Sequence, residues 1–169
     1  MIIANPTGNI TILNRDVPSD IIIGMNTTLG QLDSLLLPKR WHEGLASPFA
    51  PGSVLSFKLD RMRKLHMLIC HHLGDDGWKD ADRYVRIGMD HLWLKYKDHR
   101  DFSIVQIGAG RVGKAGGADF NKIREAMKTS FLPVTLVKHE ASRPVDISSI
   151  KSTQLSPPEV WSPMTGTEH

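Results

Sequence analysis

Apolar residues in this chain fall into short β-branched runs early on and into helical spacing in two later stretches. Met1 to Ala4 and Ile10-Thr-Ile-Leu13 read as short strands, separated by turn chemistry at Asn5-Pro-Thr-Gly8. Asp20-Ile-Ile-Ile-Gly24 is continuous rather than alternating, which predicts a strand buried on both faces. It runs into the polar patch Met25-Asn-Thr-Thr28. Leu32, Leu35, Leu36 and Leu37 predict a short helix stopped by Pro38. Residues 41–52 contain two prolines and two glycines without any period, and predict a long irregular loop. Strands are predicted at 53–59 and 65–73, with a polar turn at 61–64. Residues 80–97 place Ala81, Tyr84, Val85, Met89, Leu92, Trp93 and Tyr96 at i, i+3, i+4 spacing, an amphipathic helix with its apolar face in the core. A last β-branched run, Ile104 to Ile107, breaks into Gly108, Gly110 and Gly113. Asp119 is placed to cap a helix carrying Phe120, Ile123 and Met127, and Pro133 to Lys138 reads as a final strand. Early strands can pair directly and later helices serve as crossovers, so the pattern predicts a mixed sheet flanked by helices in one α/β domain. That domain is expected over residues 1–139. Residues 140–169 turn to Ser, Pro and Thr, and are expected to form an irregular, partly disordered extension in which Val160, Trp161 and Met164 could dock on the domain or on a partner.

Composition narrows the function classes. At 169 residues the chain suits one domain with a real core. A formal charge of +3, with basic residues in small clusters such as Arg61, Arg63 and Lys64, argues against a nucleic-acid stripe. Cys70 is the single cysteine, so no disulfide framework exists. The sequence has no signal segment and no apolar run of membrane-spanning length, and a cytoplasmic or otherwise intracellular location is expected.

The stretch Phe102 to Gly113 carries the chemistry. A buried strand delivering a glycine-rich loop brings backbone N–H groups close to phosphate. Gly108, Gly110 and Gly113 fit a dinucleotide-binding spacing. Gly108, Gly113 and Lys114 fit a P-loop variant, although Ala115 stands where Ser or Thr would hold magnesium. Both of those folds place the loop after their first strand, whereas here only one strand follows. A phosphate-cradling loop late in another α/β fold therefore fits best, beside the plain alternative of a tight turn with no ligand. Other motifs fail. His99-Arg-Asp101 lacks every companion of a kinase catalytic loop. Cys70, His71 and His72 are consecutive on a predicted strand, only Cys70 and His72 share a face, and spacing places no other ligand beside them, so no metal site is assigned. What remains is two loops at strand ends, one with Asn26 and one with the glycines. An Asn side chain can bond a ribose hydroxyl, and it can equally cap a turn.

Ser103-Ile-Val-Gln-Ile-Gly-Ala-Gly110, followed by Phe120 and a helix, resembles the macrodomain family, as do Gly8-Asn-Ile-Thr11 and Asp20-Ile-Ile-Ile-Gly-Met-Asn26. Together these cover roughly Gly8 to Lys138. The resemblance implies a three-layer α/β/α domain with a central mixed sheet that binds ADP-ribose or a related nucleotide diphosphate, with no cofactor. It would put Asn9 and Ile10 near adenine and Asn26 near the distal ribose. Gly108, Ala109, Gly110, Arg111, Val112 and Gly113 would lie around the phosphates. The departures are specific: Asn9 replaces an acidic residue, Gly30-Gln-Leu-Asp33 replaces a glycine-rich run, and Val112 stands near the position where the hydrolysing members carry an Asp. Binding is thus better supported than catalysis. Weak hydrolysis of an ADP-ribosyl bond would use water positioned by Asn26, with Asp33 as the nearest acidic candidate. The alternative is a fold that has lost its ligand and serves as a protein-interaction module through its C-terminal tail.

Overall fold

The computed structural model describes residues 2–4, 10–12, 20–29, 48–58, 64–96, 101–108, 111–129, 134–137 and 158–164. Strands β1 (Ile2–Ala4) and β2 (Ile10–Ile12) form an antiparallel pair of their own. The main sheet contains β3 (Asp20–Asn26), β4 (Val54–Lys58), β5 (Lys64–His71), β6 (Phe102–Val105), β7 (Val134–Val137) and β8 (Glu159–Trp161). Its order is β7-β6-β3-β5-β4-β8. The first four are parallel, and β4 runs antiparallel to both β5 and β8. The mixed α/β architecture expected from the strand and helix pattern is therefore present.

β3 and β5 lie at the centre, and their continuous apolar runs are enclosed on both faces: Ile21, Ile22, Ile23, Met67, Leu68 and Ile69 are all buried. One face is covered by α1 (Ala81–Tyr96) and α3 (Phe120–Thr129). The buried residues of α1 are Ala81, Val85, Gly88, Met89, Leu92 and Tyr96, as its spacing requires, and Tyr84 and Trp93 pack at the margin. α1 approaches closely at Gly88, where an added Cβ would sit 2.8 Å from Leu68 Cδ2. α3 begins where Asp119 Oδ1 accepts the Lys122 N–H at 3.3 Å, the expected cap.

Three features differ from the sequence expectation. β5 ends at His71 rather than residue 73, because Gly74 and Asp76 take positive φ (95° and 60°) and the chain folds into a tight turn before α1. A short helix, α2 (Arg111–Ala115), lies inside the stretch expected to be a loop. Within the extension expected to be irregular, β8 adds to the edge of β4. Its anchors are side chains: Trp161 stacks on His91 (4.1 Å, 7°) and Glu159 pairs with Lys95 at 2.6 Å. The bonded Lys95 holds the Glu159 carboxyl below the usual carboxylate range; partial burial opposes this and Lys64 adds to it. The leucine helix expected around 32–37 lies outside the described residues, as do 41–47 of the long loop.

Candidate functional site

The parallel strands end together on one edge of the sheet, and the segments leaving them build the candidate site. β3 ends at Asn26, which is buried. Its Oδ1 accepts from Thr28 N at 3.1 Å and from Thr28 Oγ1 at 3.0 Å. Leu29 takes a positive φ of 59° and donates its N–H to the Asn26 carbonyl. The Asn26 side chain thus holds a tight turn at the strand end, the capping role that the sequence left open.

β5 carries one extra residue against β3: Met25 pairs with Ile69, and Asn26 with His71. This bulge brings His71 level with Asn26, and Thr27 N donates to the His71 carbonyl at 3.1 Å. Residues 48–53 cross the same edge, with Phe49 N donating to Thr27 O and Gly52 N to Ile69 O.

His71 is 1% exposed and stacks on Trp78, with ring centroids 3.9 Å apart and planes at 13°. Burial pushes its pKa down to about 4; the bond to the His72 carbonyl opposes the shift and the charge of His72 adds to it. His71 is therefore neutral at pH 7. Its Nδ1 lies 3.2 Å from the His72 carbonyl oxygen, which can only accept, so the proton is on Nδ1 and Nε2 carries a lone pair. Among the described residues, the buried side-chain polar atoms with no hydrogen-bond partner are Ser53 Oγ, His71 Nε2 and Trp78 Nε1. Ser53 precedes β4, which is antiparallel to β5, so all three belong to this edge. Neighbouring Cys70 is not reactive, since burial pushes its thiol up to about 12.

β6 leads into the glycine stretch. Gly108 has φ +83°, and a Cβ there would lie 2.8 Å from Ile123 Cδ1. A Cβ on Gly113 would lie 2.6 Å from the Gly108 carbonyl oxygen. Ala118 N donates to Gly113 O, and Trp78 N to Gly116 O. Gly108 and Gly113 are thus required by close packing of the chain on itself, and Trp78 ties this loop to the end of β5. Arg111 and Val112 open α2. Ile10 opens β2, opposite Ala4 and in the separate strand pair. Asn9, Asp33, Ala109 and Gly110 lie outside the described residues. The structure accordingly brings Asn26, His71 and Gly108 to one edge and adds Ser53 and Trp78, which the sequence did not single out. Trp78, in a glycine-flanked turn just before a helix, was the available signal.

No model of a known family matches the sequence, and no curated protein matches it. Among solved structures, a macrodomain protein from Streptomyces coelicolor is similar with a TM-score of 0.51, at 14% identity, over 72% of this chain and 89% of that one. The fold is that of a macrodomain. At such identity the likeness is one of fold alone. A protein of unknown function from Bacteroides thetaiotaomicron is also similar, with a TM-score of 0.48, 14% identity and coverage of 70% and 87%. Among the described residues of this macrodomain fold, no helix is long and apolar enough to cross a membrane.

Proposed function

We propose that the protein binds ADP-ribose, or a related nucleotide diphosphate, at the edge where β3, β5 and β6 end. The observation that carries this reading is the concentration of unpartnered buried polar atoms there: an acceptor on His71, a donor on Trp78 and the Ser53 hydroxyl. Orphaned buried groups cost about 1–3 kcal/mol each and are retained where a ligand or held water completes them. The macrodomain fold and the adjacent Gly108 loop supply the direction of the reading. Ribose hydroxyls match the donor and acceptor pair, and backbone N–H groups suit diphosphate. Hydrolysis of an ADP-ribosyl bond is a further step of the same reading, with Asn26 and Asp33 as its candidates.

A second reading is favoured by two observations. Asn26 Oδ1 is committed to its own turn, and the space at Gly108 and Gly113 is filled by the chain itself. On this reading the fold is a ligand-free interaction module.

Thermal denaturation with millimolar ADP-ribose, ADP, ATP plus magnesium, and NAD separates the two. A ligand at about 100 times its Kd stabilises by about 2.7 kcal/mol, or roughly 5–10 °C for a chain of this size. The expected outcome is such a shift with ADP-ribose, lost in Gly110→Val. No shift with any nucleotide would leave the interaction module.

A further inference from the structure

At the opposite edge, where β3 and β5 begin and β4 ends, three strands contribute one continuous relay. Asp20 opens β3, and Ser56 of β4 stands directly across the ladder from His66 of β5. Asp20 Oδ1 accepts the Lys64 N–H at 2.9 Å, which fixes the carboxylate. Asp20 Oδ2 lies 2.9 Å from His66 Nε2, with both side chains at most 1% exposed. A carboxylate oxygen only accepts, so Nε2 carries the ring proton. In the neutral imidazole Nδ1 is then an acceptor, and Ser56 Oγ, 2.7 Å away, donates to it. Tyr96 and Phe102 wall the imidazole at centroid distances of 5.3 and 5.8 Å. Ser56 is only half-buried, unlike its two partners. Its neighbour on the other side is Glu159, whose carboxylate is held by Lys95 at 2.6 Å and Lys64 at 3.8 Å. Two cations are therefore held on the carboxylate of the residue paired with Ser56 in the ladder.

A hydroxyl, a base and a group that orients the base, joined in that order by hydrogen bonds, form the arrangement that activates serine for acyl transfer. The two ring nitrogens are exchanged relative to the serine-protease arrangement, which leaves the proton path intact. We propose that Ser56 is a base-activated nucleophile at a second site, with His66 as its general base and Asp20 as the positioning residue, and that it accepts acyl groups from small carboxylic esters. Ser56 Oγ bonds to the carbonyl carbon while its proton passes to His66 Nδ1, and the carbonyl π pair moves to oxygen. When that pair returns, the bond to the alcohol oxygen breaks and the alcohol leaves with the proton from His66. Water repeats the sequence on acyl-Ser56 and releases the carboxylic acid. The relay shares no residue with the nucleotide edge, so neither reading depends on the other.

The test is labelling of the full chain with an alkyl fluorophosphonate. Ser56 would attack phosphorus and expel fluoride, leaving one stable phosphonyl adduct for peptide mapping by mass spectrometry. A single adduct on Ser56 is expected, absent in Ser56→Ala and formed at least tenfold more slowly in Asp20→Asn. Hydrolysis of p-nitrophenyl acetate is expected to fall to background in Ser56→Ala. No adduct, or an adduct on another residue only, would overturn the proposal, as would equal labelling rates in folded Asp20→Asn and wild type. The wild-type and Ser56→Ala arms decide the matter even where Asp20→Asn fails to fold.

Discussion

His71 links the candidate site to stability through its proton. Its folded pKa of about 4 lies below the unfolded value of 6.5, so the fold favours the neutral ring. That contribution is present above pH 6.5 and is lost as pH falls towards 4. Between pH 7 and pH 5 it amounts to a loss of about 2 kcal/mol. His71→Phe keeps an aromatic ring against Trp78 and removes both the proton and the orphaned nitrogen. Urea denaturation at the two pH values is expected to show wild type losing about 2 kcal/mol more than the variant; equal losses would mean that His71 is protonated in the folded chain. The glycines offer a second test at this scale. A Cβ on Gly77 would sit 2.1 Å from the His72 carbonyl oxygen, where backbone must move. A Cβ on Gly88 meets side chains and no backbone, the tip of Leu68 at 2.8 Å and Val54 Cγ2 at 3.4 Å. Gly77→Ala is expected to cost about 3 kcal/mol. Gly88→Ala is expected to be near neutral, because helix propensity returns about 1 kcal/mol. Thermal melts of the pair check the contrast, and equal costs would contradict the packing described.

At the scale of elements, strands and helices with a clear period were legible, and those defined by tertiary context were not. Asp20-Ile-Ile-Ile-Gly24 could only be a strand covered on both faces, and α1 announced its buried face by spacing. The bulge that sets His71 beside Asn26 has no local signature, since it depends on which strand β5 meets. Of the candidate site, Asn26 and Gly108 were legible because strand ends and glycines are marked in sequence. Ser53 was not, because its role comes from burial without a partner. β8 was hidden for a related reason: Glu159-Val-Trp161 is too short to show a period and becomes a strand by pairing with β4. Its role can be tested by ending the chain at residue 157. Loss of the Trp161 stack and the ladder is expected to cost about 2 kcal/mol. It also bares the β4 edge, which invites pairing between copies. Light scattering across a concentration series is expected to show stronger association than in the full chain. A truncated chain that stays monomeric and equally stable would mean that β8 contributes nothing to the fold.

Across the whole molecule, the two ends of the sheet are built on opposite terms. At the edge where the parallel strands begin, Asp20, His66, Ser56 and Lys64 are joined by hydrogen bonds. At the edge where they end, Ser53, His71 and Trp78 carry polar atoms that nothing among the described residues satisfies. β5 connects the two, with His66 near one end and His71 at the other, about 17 Å apart at the strand rise. Sites that far apart with no shared partner act independently, so their substitutions add to within about 0.5 kcal/mol. Ser56→Ala with His71→Phe is therefore expected to give the sum of the single effects in urea denaturation. Nucleotide-induced stabilisation would follow the His71 end, and fluorophosphonate labelling the Ser56 end. The reason for expecting no cross-talk is mechanical. The strands between are buried on both faces and close-packed, and a rigid sheet with a single arrangement offers no second state for either end to bias. A coupling above about 1 kcal/mol in that double-mutant cycle would overturn this picture and point to an alternative register or packing of β5 shared by both edges.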